Sequence, residues 1–87
     1  MLPNSSIELM QGIAARVRSL RKARKWSQEV LAERSGVSFG SVKRFEGSGQ
    51  ISLQSLLKIA IALGHANDFD RLFEAPDVPN NLDDLFR

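Results

Sequence analysis

The sequence contains no cysteine among its 87 residues, and it therefore has neither disulfide bonds nor a thiolate metal site. Histidine occurs once, at His65, which leaves a transition-metal site without a usable set of ligands. No apolar run approaches the roughly 20 residues that a membrane-spanning helix needs. The first residues also lack the basic region and apolar stretch of a secretory signal. These absences predict a cytoplasmic protein with no metal and no other cofactor.

The residues that would indicate an enzyme are missing as well. Asp83 and Asp84 are adjacent, so in a helix their carboxylates splay apart and make a poor acid–base pair. Serines are frequent, but no base is placed to activate one of them. No glycine-rich loop of the phosphate-binding type occurs. We therefore expect no enzymatic activity.

The charge of the chain is small overall and unevenly distributed. Net charge is +2, but residues 1–63 hold ten Lys and Arg against four Asp and Glu. Residues 64–87 hold two Arg against six Asp and Glu. Such asymmetry is typical of a basic binding surface followed by an acidic segment, although ordinary surface charge would produce it too.

Apolar residues recur at helical spacing throughout, and no strand pattern or internal repeat appears. We predict an all-α domain of about five helices. Serines in positions typical of N-caps mark four helix starts, and these are Ser5, Ser27, Ser38 and Ser52. Glycines mark the ends, and these are Gly36, Gly47, Gly49 and Gly64. A short fifth helix starts at Asn67, and its residues Phe69, Leu72 and Phe73 are expected to face inward.

Residues 27–46 read as two amphipathic helices joined by a short turn at Gly36, which is the pattern of a helix-turn-helix. Residues 12–64 resemble the lambda-repressor-like, Cro-type family, often called the XRE family of regulators. The resemblance rests on Gln28, Leu31, Ala32, Gly36, Val37, Ser38, Val42, Phe45 and Glu46, followed by LLKIAIALG from Leu56 to Gly64. It implies a compact five-helix DNA-binding domain over residues 6–73, with an acidic tail over residues 74–87.

The resemblance implies that residues 38–46 form a recognition helix whose N-terminal part reads base edges in the major groove. The predicted base-contacting residues are Ser38, Phe39, Gly40, Lys43 and Arg44, and for Lys43 a phosphate contact is favoured over a base contact. Arg44 suits a bidentate contact to guanine, with a phosphate contact as the alternative. Phe39 suits a thymine methyl group, unless it folds back on the domain. Gly40 has no side chain where many relatives carry a polar one.

A second set of residues is predicted to contact the DNA backbone. These residues are Arg18, Gln28, Ser41, Ser48 and Gln50. In the family, the glutamine that matches Gln28 holds a phosphate at a helix N-terminus. The resemblance also implies a structural ion pair between Arg21 and Glu46, and the alternative is that Arg21 faces DNA beside Arg18.

Two functions are compatible with these residues. The first is a transcriptional regulator, a repressor that binds a palindromic operator of double-stranded DNA as a homodimer, with half-sites about 34–36 Å apart. The second is a HipB-type antitoxin that binds a toxin kinase and autoregulates its operon. Under the second, the tail FEAPDVPNNLDDLF would lie in a partner's groove or across the dimer mate. Packing of Leu82, Leu85 and Phe86 on the chain's own domain is the remaining alternative.

Overall fold

The computed structural model describes residues 5–76, and each regular element in that range is an α-helix. The helices are α1 (Ser6–Ala23), α2 (Gln28–Ser35), α3 (Phe39–Ser48), α4 (Leu53–Ala62) and α5 (Asn67–Asp70). The predicted all-α, five-helix class is confirmed. Within this range no helix combines the length and the apolar character needed to cross a membrane.

The four long helices begin where the sequence predicts. In each case a serine just before the helix accepts a hydrogen bond from the backbone N–H three residues later. The donors are Glu8 to Ser5 at 3.1 Å, Val30 to Ser27 at 3.0 Å, Ser41 to Ser38 at 3.1 Å and Ser55 to Ser52 at 3.1 Å. Each bond satisfies one of the backbone donors that a helix start leaves without a partner.

The helix ends follow the glycines with one exception. Gly36 ends α2 with a φ of 76°, a left-handed conformation that glycine adopts cheaply. The prediction that Gly47 ends α3 is wrong, because α3 continues to Ser48 and ends at Gly49 with a φ of 85°. Gly49 also lies against α1, where a Cβ would sit 2.9 Å from the carbonyl carbon of Met10. The end of α3 can therefore approach α1 closely only because residue 49 has no side chain.

One hydrophobic core holds these helices together. α1 and α3 contact each other, and α2 contacts both α3 and α4. The buried apolar residues are Ala14, Val17, Leu31, Ala32, Val37, Val42, Phe45, Ile59, Ala60 and Leu63. Val37 lies in the turn between α2 and α3, and its side chain is buried in this core. The core thus fixes the angle between the two helices of the motif.

The prediction for the segment after α4 is wrong in part. Leu72 is 53 % exposed and Phe73 is 97 % exposed, although both were expected to face inward. The reason is that α5 is a single turn, and the chain leaves the helical path at Arg71. Phe73 has a φ of 63°, so the helical spacing does not extend to it. Most of the predicted tail lies outside the described residues.

Candidate nucleic-acid interface

Helix α3 has one buried side and one open side. Val42 and Phe45 are fully buried in the core. Lys43 and Arg44 lie between them in the sequence, on the other side of the helix, and both are exposed. Gly40 is exposed as well, and a Cβ built there would meet no atom within 4 Å. The open side therefore offers two cations beside a bare stretch of backbone.

The N-terminus of α3 is organised by two serines. The hydroxyl of Ser38 accepts the backbone N–H of Ser41, and it donates to the hydroxyl of Ser41 at 2.8 Å. Phe39 follows the cap and is 44 % exposed, so its ring is neither buried nor free on all sides. Two hydroxyl groups and the Phe39 ring therefore lie together at the N-terminus of α3. In the predicted interface, this end of the helix contacts the bases.

The other end of α3 is held by a buried ion pair. Arg21 is 8 % exposed and Glu46 is 4 % exposed. Arg21 Nε donates to Glu46 Oε2 at 2.7 Å, and Arg21 Nη2 donates to Glu46 Oε1 at 2.8 Å. This two-pronged geometry is the strongest form of a guanidinium–carboxylate contact. Arg21 also donates from Nη1 to the carbonyl of Trp26 at 2.8 Å, so its guanidinium faces inward.

The charges of this pair stabilise each other. Burial alone would raise the pKa of Glu46, but the hydrogen bonds from Arg21 and Gln28 and the nearby charges of Arg21 and Arg18 outweigh it, and the net pKa is lowered. The hydrogen bond to Glu46 raises the pKa of Arg21, against the opposing effect of burial. Both groups are therefore ionised at neutral pH, and the pair holds the C-terminal part of α3 against α1.

Two predicted phosphate contacts also belong to this network. Gln28 Nε2 donates to Glu46 Oε1 at 3.0 Å. Arg18 Nη2 donates to the backbone carbonyl of Glu46 at 2.8 Å, and the Arg18 side chain remains about half exposed. Each side chain keeps further N–H groups for another acceptor. Arg18 and Gln28 thus tie α1 and α2 to the end of α3 in the structure as it stands.

A polar hollow of about 270 Å³ lies between α3 and the start of α4. Ser41, Arg44 and Gln50, all predicted to contact DNA, lie around it. Its other polar residues are Ser52 and Ser55, which the sequence did not indicate as candidate binding residues. Only the N-cap signal at Ser52 was available to indicate that a helix begins there. The hollow combines a guanidinium with hydroxyls and a helix N-terminus, which is a chemistry suited to phosphate.

Ser48 is placed differently from the others. Its hydroxyl donates to the carbonyl of Arg44 at 2.7 Å and accepts the backbone N–H of Gln50 at 3.2 Å. The hydroxyl hydrogen is therefore used within the last turn of α3. A phosphate contact by Ser48 would require this bond to Arg44 to break, whereas Gln50 is exposed and has no such constraint.

His65 lies apart from this surface, in the turn after α4. Its Nδ1 is 3.0 Å from Asp68 Oδ2, in an exposed position. Among residues 5–76, no group of three or more metal-binding side chains comes together.

Comparison with known proteins gives a family for the chain. A family model described as helix-turn-helix matches residues 17–65, which is more than half of the sequence. The chain belongs to this helix-turn-helix family. The match supports the resemblance to lambda-repressor-like domains and the assignment as a DNA-binding regulator of transcription. A search of curated proteins found no match.

The matched range of the helix-turn-helix domain covers the whole interface. It begins at Val17 and ends at His65, so it includes α2, α3, α4 and the last seven residues of α1. The Arg21–Glu46 pair and the open side of α3 both lie inside it. The fifth helix and the segment that follows lie outside it.

Proposed function

We propose that this chain is a sequence-specific DNA-binding repressor whose recognition helix, α3, reads the major groove of its operator. The observation that carries the proposal is the two-sided character of α3. Val42 and Phe45 fix the helix to the core, while Lys43 and Arg44 extend from the open side. A helix presented in this way fits the major groove of B-DNA, and cations beside bare backbone suit close approach to base edges.

The proposed contacts divide into base readout and backbone positioning. Ser38, Phe39 and Gly40 form the leading end of α3, with Lys43 and Arg44 one turn on. Arg44 also lines the polar hollow beside α4. Guanine and phosphate are therefore alternative partners for its guanidinium, and each can accept two N–H groups.

Backbone contacts would come from three places around α3. Arg18 and Gln28 lie at its C-terminal end, Ser41 and Gln50 line the hollow, and Ser48 is the last residue of α3. Phosphate contacts on both sides of a helix fix its position in the major groove, but they do not distinguish one base sequence from another. Their effect on affinity should appear mainly as salt dependence.

The proposal includes a homodimer on a palindromic site. A single module of this size buries too little surface for tight specific binding, and two copies related by a two-fold axis would match two half-sites about 34–36 Å apart. A DNA-reading role also agrees with the predicted cytoplasmic location, because it requires access to the chromosome.

The test is selection of binding sites from random duplexes at a stated salt concentration, followed by two variants. Arg44→Ala should lower specific affinity by about 1–3 kcal/mol and relax preference at one base pair if it reads guanine. Lys43→Ala should weaken binding evenly across sequences and reduce the salt slope by about 1.

Arg71→Ala is a matched control, because Arg71 is also an exposed arginine but lies after α5, where it pairs with Glu74. A variant that lacks both Lys43 and Arg44 and still binds the selected site normally would contradict the proposed reading face.

The antitoxin alternative rests on the sequence of residues 74–87, and residues 77–87 lie outside the described range. Deleting residues 75–87 tests it. Under the repressor proposal, operator binding survives the deletion. An antitoxin would lose capture of its toxin kinase while it retained DNA binding.

A further inference from the structure

An apolar groove runs along the side of the domain between α1, α4 and α5. Its volume is about 710 Å³. Its walls are mainly apolar side chains, and these are Ile13, Val17, Leu20, Ala23, Leu56, Ala60, Leu63, Phe69 and Leu72. Leu72, at the edge of the groove, is 53 % exposed, so that further burial of its side chain would be favourable. The groove is large enough for several side chains.

We propose that this groove binds residues 82–86 of the same chain. Leu82, Leu85 and Phe86 are spaced i, i+3 and i+4, a spacing that in a helical turn would bring three apolar side chains to one side. Burial of the three would cover apolar surface on both partners, which is the main driving force for such packing.

The length of the intervening chain allows this contact. Leu72 lines the groove, and the described chain ends at Pro76, four residues later. Nine further residues lead to Leu85, and they can span up to about 30 Å. The groove follows α1 from Ile13 to Ala23, a distance of about 15 Å at the rise of an α-helix. The segment can therefore reach any part of the groove.

Tethering favours the chain's own segment over a second copy. A segment joined by a short linker is present at an effective concentration in the millimolar range, so that it competes well with untethered partners. Charge also agrees, because Arg16 lies at the groove edge and Asp83 and Asp84 sit between the apolar residues of the segment. Asp68 at the same edge is paired with His65.

The test uses the absence of cysteine from the sequence. Ser19 is exposed and lines the groove, so Ser19→Cys combined with Phe86→Cys introduces two thiols that the proposal brings together. Gln50→Cys combined with Phe86→Cys is the control, because Gln50 is exposed beside α3 and does not line the groove. Each full-length variant is oxidised with glutathione at several protein concentrations, and disulfides are separated on a non-reducing gel.

We expect the groove pair to form an intramolecular disulfide at least about tenfold faster than the control pair, at a rate independent of protein concentration. Equal rates for the two pairs would overturn the proposal. So would a disulfide that forms between chains at a rate rising with concentration, because the groove would then hold a second copy.

A thermal measurement gives an independent test without cysteines. Leu85→Ser should lower the unfolding midpoint by about 5 °C or more, because it removes an apolar side chain from the groove. Val78→Ser removes an apolar side chain from the same segment outside the 82–86 set, and should change the midpoint by about 1 °C or less. Equal midpoints for the two variants would overturn the proposal. The inference does not depend on DNA reading, since neither variant alters α3.

Discussion

Replacement of Glu46 by alanine tests how α3, the proposed recognition helix, is held in place. Glu46→Ala removes the carboxylate that accepts two hydrogen bonds from Arg21 and one from Gln28. Arg21 would then keep its charge in a site where it is only 8 % exposed. The hydrogen bond from Arg21 Nη1 to the carbonyl of Trp26 would remain, but a carbonyl carries no compensating charge. The substitution thus leaves a buried cation without its counter-ion.

The expected cost is large for a domain of this size. Removal of one partner of a buried ion pair costs about 3–5 kcal/mol, most of which is the penalty of the charge left behind. A domain of 87 residues has a total free energy of unfolding of roughly 4–13 kcal/mol. Each 1 kcal/mol lowers the midpoint temperature by about 4–8 °C in small domains, so we expect a drop of at least about 12 °C.

Urea unfolding followed by circular dichroism measures this cost. The control is Glu74→Ala, which breaks the exposed pair between Arg71 and Glu74 and should cost less than about 1 kcal/mol. Replacing both buried partners, with Arg21→Met and Glu46→Leu, should recover much of the stability lost by Glu46→Ala alone. A cost for Glu46→Ala no greater than that for Glu74→Ala would refute the argument from burial.

Three further predictions concern stability. Ionised Glu46 stabilises the fold above the unfolded pKa of about 4.3, and this contribution is lost as pH falls through its lowered pKa in the folded state. Glu46→Gln should therefore reduce the slope of the free energy of unfolding against pH on the acid side. The same slope in the variant and in the wild-type protein would count against this prediction. Gly49→Ala should lower the free energy of unfolding in urea by more than Gly36→Ala does. Both glycines have a left-handed backbone, but only at residue 49 would the new Cβ lie 2.9 Å from a backbone atom of Met10. Equal losses of stability would show that this contact relaxes without cost. Ser52→Ala should cost about 1 kcal/mol by the same assay, through loss of the N-cap of α4, and an unchanged midpoint would mean that water replaces the cap.

The features that depend on local sequence were predictable. An N-cap needs only a serine and a backbone N–H three residues later, so Ser5, Ser27, Ser38 and Ser52 mark the helix starts correctly. The left-handed ends at Gly36 and at the end of α3 follow in the same way. Gly47 was misread because a glycine inside a helix and one at its end look alike in sequence, and only the backbone conformation separates them.

Features that depend on packing between helices were harder to predict. Ile59 is fully buried and Ile61 is largely exposed, although both lie on the apolar α4. Their difference is set by which side of α4 meets α2, and the composition of α4 does not encode this. Leu72 and Phe73 were misplaced for a related reason, because the end of α5 at Asp70 has no strong stop signal.

The candidate interface shows the same division. The open side of α3 follows from helical spacing once Val42 and Phe45 are recognised as core. The internal hydrogen bonds of Ser48 and Gln28 could not be read from spacing, because they depend on where a carbonyl and a carboxylate lie in space. Ser52 and Ser55 join the hollow only because α4 starts beside Arg44.

Gly40 is a position on the open side of α3 where the domain can accept a side chain. A side chain placed there would project from α3 into open space, so nothing in the domain needs to move to admit it. Alanine at this site should also strengthen the helix, by up to about 1 kcal/mol. If α3 reads DNA as proposed, a substitution at residue 40 would alter the contacts with the bases while every contact within the domain is retained.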